Sequence, residues 1–128
     1  MFGIASLVFL LIDGIWLAKI ATSLYQKELG SLLGDVKILP AAIFYVLYII
    51  AMIYFVITPN LDAKGYSQII FSGFLFGVIC YATYDLTNLA TIKGWSWKVT
   101  VIDIVWGGFV TSMTALITKW IMKGFFTS

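Results

Sequence analysis

Four long apolar segments account for most of this 128-residue chain and limit what it can fold into. They cover residues 1–22, 40–58, 67–90 and 99–125. A helix that crosses the ~30 Å hydrocarbon layer of a membrane needs about 20 mostly apolar residues, which is the length of each segment. Hydrophobic residues make up 62% of the chain and charged residues 11%, whereas a soluble domain carries about 25% charged residues. We therefore predict an all-α polytopic membrane protein, a four-transmembrane-helix bundle forming a single transmembrane domain over residues 1–128.

The distribution of lysines between the two ends of the predicted spans indicates an orientation. One membrane face receives Lys19, Lys27, Lys37, Lys93 and Lys98, and the other receives Lys64, Lys119 and Lys123. Loops rich in lysine stay in the cytoplasm. We therefore predict that the first and third connections are cytoplasmic and that both termini are periplasmic.

Three aspartates, Asp13, Asp85 and Asp103, fall inside predicted spans. An aspartate at the centre of a span costs about 2.5–3.5 kcal/mol on insertion scales, so such residues face the bundle interior or a water-filled cavity. No lysine lies near the middle of a span, and we expect at least one carboxyl group to keep its proton near neutral pH. The alternative is a purely structural hydrogen-bond network, which is the commoner role of each aspartate taken singly.

Aromatic and amide side chains accompany these acids at helical spacing. Asp and Trp are three residues apart in both the first and the fourth span, and helix three carries a polar stripe at i, i+3, i+4 and i+7. We expect one cavity near the face of the first and third connections, whereas helix two has no acid and is expected to act as a scaffold. The predicted ligand- or proton-binding residues are Asp13, Asp85, Asp103, Asn88, Tyr81, Tyr84, Trp16 and Trp106.

Small residues predict where helices approach closely. Gly73 and Gly77 form a GxxxG pair, Gly14 is followed by an alanine four residues later, and Gly107 and Gly108 give helix four a small-residue face. This spacing is equally consistent with packing inside the chain, with a homodimer and with binding of a membrane partner. The single cysteine, Cys80, is expected to be a small packing residue.

Composition also excludes several classes of site. The chain has no histidine, which removes histidine-ligated haem and zinc and every histidine-dependent triad. We predict no catalytic residue, no metal and no cofactor. The net charge of +2 is too weak and too scattered for nucleic-acid binding, so the partner predicted first is the lipid bilayer.

Three sequence segments resemble a known family. They are DGIW at residues 13–16, YDLTNLAT at residues 84–91 and DIVWG at residues 103–107. In these the chain is similar to a domain-of-unknown-function family of small four-helix bacterial inner-membrane proteins. The resemblance implies a bacterial cytoplasmic membrane and includes the aspartates in the family pattern. It implies no activity.

Three functions fit this pattern. The first is a small-molecule binder or carrier that uses the Asp/Tyr/Trp cavity and is coupled to protons. The second is a non-catalytic accessory subunit of a membrane complex. The third is an enzyme acting on a lipid or isoprenoid, in which paired acids do acid–base work or hold Mg²⁺. The enzyme has the least support, because its acids come one per helix.

Overall fold

The structure is a computed structural model that describes residues 1–16 and 38–125, and the statements below concern those residues. Helix α1 covers Phe2–Trp16, and α2 begins with an α-helical part, Ile38–Met52. Helices α3 and α4 cover Ser67–Thr91 and Trp97–Phe125. No strand occurs within the described ranges. The prediction of an all-α, four-helix protein is confirmed.

Three helices are long and apolar enough to cross a membrane. These spans are Leu39–Asn60, Ser67–Thr91 and Trp97–Gly124, with 22, 25 and 28 residues. Helix α1 is also apolar, but its described part has 15 residues. The predicted end of the first span near residue 22 lies outside the described residues. Large apolar side chains along α2 are exposed, as expected for a surface solvated by lipid.

Helix α2 continues through Pro59 to Asn60, two residues beyond its predicted end at residue 58. After Met52 the helix becomes π-helical over Ile53–Ile57 and finishes with a short α-helical turn, Thr58–Asn60. The amide group of Asn60 donates a 2.7 Å hydrogen bond to the carbonyl oxygen of Val56. Pro59 lies in the first turn of this short helix, where a missing N–H leaves no intrahelical bond unmade.

Two glycines allow the tight connections on either side of α3. Gly65, before α3, has φ +72°, and Gly94, after it, has φ +86°. A residue with a Cβ is strained in this left-handed region. Helix α4 begins two residues earlier than predicted because the Ser96 hydroxyl accepts a 3.2 Å hydrogen bond from the Val99 N–H, the contact of an N-cap residue.

Helices α3 and α4 form the central antiparallel pair, and glycines set their distance. A methyl group at Gly73 would lie 2.8 Å from the Ser112 Cα, and one at Gly77 would overlap the Gly107 carbonyl oxygen. Gly108 packs against side chains of α3 in the same way. The GxxxG face of α3 is therefore filled by α4, which is close backbone packing inside the chain. Among the described residues, nothing lies within 4 Å of a Cβ added at Gly14; its small-residue partner four positions later lies outside the described ranges.

Buried hydroxyl groups connect α2 and α3 to α4. The Tyr48 and Thr111 hydroxyls share a hydrogen bond, and Ser112 donates a 2.8 Å bond to the Ile70 carbonyl oxygen. Helix α1 packs mainly against α4 and more lightly against α2. Because unsatisfied polar groups are costly in hydrocarbon, these bonds fix the order of the helices around α4.

Candidate functional site

A cavity of about 580 Å³ lies between the start of α2, the second half of α3 and the first half of α4. Asp103 is six residues from the start of α4 and Tyr84 seven residues from the end of α3, which places both about 10 Å from the same membrane face. That face is the one at which the third connection lies. The cavity is lined by Pro40, Ala41, Phe44, Cys80, Tyr81, Tyr84 and Asp103.

Aromatic rings give the cavity most of its shape. The ring of Tyr81 packs directly on Gly107, since a Cβ at that glycine would overlap the ring. Tyr81 makes an edge-to-face contact with Tyr48 at 6.4 Å between ring centroids, and Phe44 stacks on Tyr48 at 5.9 Å. These contacts fix the orientation of the rings. The cavity is therefore a shaped apolar space with few polar groups.

Two carboxyl groups meet beside the cavity. Asp103, on α4, lines it and is 8% exposed. Asp85, on α3, is 1% exposed and neither of its oxygens has a hydrogen-bond donor among the described residues. The charged group that acts on Asp85 is the carboxyl of Asp103. The two carboxyl groups therefore interact across the α3–α4 contact, and one of them, Asp103, lines the cavity.

The third aspartate belongs to a different cluster. Asp13 accepts a 3.0 Å hydrogen bond from the indole N–H of Trp106, which links α1 to α4. Trp16 stacks on Trp106 with 4.4 Å between ring centroids and 9° between planes. The two tryptophans line a separate groove of about 420 Å³. This cluster holds α1 against α4. Asp13 also interacts electrostatically with Asp103, which lines the cavity.

The structure therefore divides the predicted site residues into groups. Tyr81, Tyr84 and Asp103 line the cavity, and the buried Asp85 interacts with Asp103 without lining it. Asn88, one turn beyond Tyr84 and Asp85 on α3, is half-buried and does not line the cavity. The remaining three form the separate cluster on α1 and α4: Asp13, Trp16 and Trp106.

Four residues lining the cavity were not predicted to do so. Pro40, Ala41 and Phe44 come from α2, which the sequence indicates only as a scaffold, and Cys80 comes from α3. Apolar residues in an apolar span have no pattern that separates a cavity wall from a lipid-facing surface. The sequence places Pro40 at the start of a helix, but this position does not indicate that Pro40 lines a cavity.

The opposite end of the bundle carries an unexpected buried lysine. Lys119 is 2% exposed, although its position near the end of a span predicts a solvent-facing charge. Its ammonium group donates to the carbonyl oxygens of Ala63 at 2.9 Å and Gly65 at 2.7 Å, and lies 5.1 Å from the centre of the Tyr66 ring. Lys119 thus fastens the connection between α2 and α3.

The apolar spans, the glycine-packed helix pair and the internal acids together define an integral membrane protein with a helical bundle. A family model with the description "Predicted membrane protein (DUF2177)" matches residues 1–120, and the chain belongs to this family. The comparison with curated proteins found no match, and neither did the comparison with solved structures. The family assignment confirms the predicted membrane class and brings no activity with it.

Proposed function

We propose that this protein binds a small molecule in the cavity between α2, α3 and α4 and carries it in the membrane, with Asp85 and Asp103 coupling binding to protons. The observation that supports this most is a cavity of about 580 Å³ that reaches a buried pair of carboxyl groups. Small-molecule sites have volumes of about 300–1,000 Å³, mostly apolar linings and few polar groups. The cavity agrees with all three properties.

The carboxyl pair supports the proton-coupled part of the proposal. Acids inside a membrane are costly and commonly belong to proton or ion pathways. Asp103 also interacts electrostatically with three other titratable groups, Asp13, Tyr81 and Tyr84. A ligand that changes the charge near Asp103 therefore changes how many protons this group of residues holds.

The proposal keeps the localisation predicted from the sequence. The protein would lie in the bacterial cytoplasmic membrane with both termini periplasmic, and the cavity would then lie nearer the cytoplasmic face. The proposal changes one part of the prediction: the decisive acids are Asp85 and Asp103, because Asp13 does not line the cavity. The small-residue faces of α3 and α4 pack against each other within the chain. They are therefore not available to bind a membrane partner, as the accessory-subunit alternative would require.

Cys80 provides a direct test, because it is the only cysteine in the chain and lines the cavity. The rate of its alkylation by N-ethylmaleimide is measured in detergent with three probes of related shape. These are tetraphenylphosphonium (cationic), tetraphenylborate (anionic) and triphenylphosphine oxide (neutral). At least one probe is expected to slow the reaction.

Two neighbouring alanines supply the matched pair for this test. Both are exposed on α2, but only Ala41 lines the cavity. The probe effect is expected to persist in Ala42→Trp and to be lost in Ala41→Trp, whose indole fills the space. An alkylation rate that no probe changes would refute the proposed binding. If the protein is a carrier, the probe that binds is expected to enter liposomes faster when they contain the protein. Asp85→Asn is expected to remove this difference in the rate of uptake.

A further inference from the structure

The chemical class of the ligand follows from what surrounds the cavity. Phe44, Tyr81 and Tyr84 each contribute an aromatic ring to its lining. The face of an aromatic ring carries partial negative charge and attracts a cation within about 6 Å of the ring centre. Three such rings around one space favour a ligand that is both apolar on its surface and positively charged.

The carboxyl groups select the same charge. Asp103 lines the cavity, and the buried Asp85 interacts with it electrostatically. In a region of low dielectric, an opposite charge on a ligand stabilises a carboxylate far more than it would in water. An anionic ligand would be repelled by a carboxylate at Asp103 and by the electron-rich rings that line the cavity.

None of the described lysines lines this cavity. Lys119 is engaged with the connection between α2 and α3, at the opposite end of the bundle, and Lys123 is 3.6 Å from Asp62 there. The described part of the cavity thus presents a carboxyl group and aromatic rings, and no positive group that would hold an anion.

We propose that the ligand is an organic cation with an apolar body, such as a quaternary ammonium, a phosphonium or a protonated hydrophobic amine. This inference rests on the proposed function, since it narrows the class of molecule that the same cavity binds. Binding places the positive centre at Asp103 and the apolar groups against the rings of α2 and α3. The cation takes the place of a proton on the carboxyl pair.

Charge selectivity among the three probes tests this inference. Tetraphenylphosphonium and tetraphenylborate have nearly the same shape and opposite charge, so a difference between them reports charge alone. Dissociation constants are measured by titration calorimetry in neutral maltoside micelles, with protein-free micelles as the blank. The dissociation constant of tetraphenylphosphonium is expected to be at least about tenfold lower than that of either other probe.

Variants identify the groups responsible. Asp103→Asn keeps the shape and removes the charge, and is expected to weaken tetraphenylphosphonium binding about tenfold. Asp62→Asn is the control, since Asp62 is a fully exposed carboxylate at the other end of the bundle. Phe44→Leu removes a ring from the cavity and is expected to weaken binding about threefold or more. Its control is Phe55→Leu, an exposed phenylalanine on the same helix that does not line the cavity.

The outcomes separate this inference from the proposed function. Binding of the anionic or neutral probe as tightly as the cation overturns the cation class and leaves a small-molecule site. No binding by any probe overturns both. If Asp103→Asn does not fold, the dissociation constants of tetraphenylphosphonium for Phe44→Leu and Phe55→Leu are compared instead. Equal dissociation constants for the two variants refute the placement of the cation in this cavity.

A choline headgroup of a lipid presents the same chemistry as a free organic cation. The titration is therefore repeated with lysophosphatidylcholine added to the micelles. Competition with tetraphenylphosphonium assigns the site to a lipid headgroup, and unchanged affinity assigns it to a free cation. Both results retain the cationic class.

Discussion

Replacing Gly77 by alanine tests the contact between α3 and α4 on which the position of the site depends. The new methyl group would overlap the Gly107 carbonyl oxygen and lie 2.6 Å from the Thr111 hydroxyl oxygen, whereas ordinary contact begins at 3.4 Å. A backbone carbonyl cannot rotate away as a side chain can, so the two helices must separate by about 1 Å. Thr111 would then also shift relative to Tyr48, its hydrogen-bond partner.

The expected loss of stability is the difference between two effects. Overpacking a tight contact costs about 1–3 kcal/mol, and more where backbone must move. Alanine in place of glycine inside a helix returns up to about 1 kcal/mol. We therefore expect Gly77→Ala to lower the free energy of unfolding by about 2 kcal/mol.

The assay is unfolding by SDS in mixed micelles, followed by circular dichroism. Gly14→Ala is the matched control, since no atom of residues 1–16 or 38–125 lies within 4 Å of a Cβ at that position. It should leave stability unchanged or raise it by up to about 1 kcal/mol. Equal effects of the two substitutions would refute the assignment of the GxxxG face to packing within the chain.

Three further predictions concern the buried polar groups. Lys119→Met removes both hydrogen bonds to the α2–α3 connection and should lower the free energy of unfolding by about 2–3 kcal/mol. The exposed Lys64→Met should lower it by less than about 0.5 kcal/mol. Equal rates of proteolysis of the connection in the two variants would contradict this. A double-mutant cycle of Trp106→Phe and Asp13→Asn should give a coupling energy of about 1 kcal/mol, and a value near zero would show that their hydrogen bond contributes nothing. Binding of tetraphenylphosphonium should release protons, which is detected as a binding heat that changes with the ionisation enthalpy of the buffer. The affinity should fall as the pH falls, because protons compete with the cation for the carboxyl pair. Asp85→Asn should reduce this pH dependence, and an unchanged pH dependence in that variant would exclude the pair as its source.

The helices could be predicted from the sequence because membrane solvation leaves few alternatives. An apolar run of about 20 residues must satisfy its own backbone, and a helix is the structure that does so. The start of α4 also has a local signal in the sequence, because Ser96, the residue before Trp97, is a typical N-cap residue. The continuation of α2 through Pro59 had no such signal, since it depends on a π-helical segment whose register is set by packing against α3 and α4.

The site was only partly predictable, for a related reason. Acids and tyrosines inside a span stand out, so Asp85, Asp103, Tyr81 and Tyr84 could be identified from their cost and spacing. Which of the acids share a cavity depends on how the helices rotate. Asp13 faces Trp106 instead of the cavity, and that pairing needs the tertiary contact between α1 and α4.

The most direct measurement of the central claim is an experimental density map of the protein extracted from its native membrane in a neutral detergent. Non-protein density is expected in the cavity, in contact with the ring of Phe44 and the carboxyl of Asp103. This density is expected to be absent from the Ala41→Trp variant and present in Ala42→Trp. A space closed by direct packing of α2 on α3, or filled by side chains of the chain itself, would contradict the central claim.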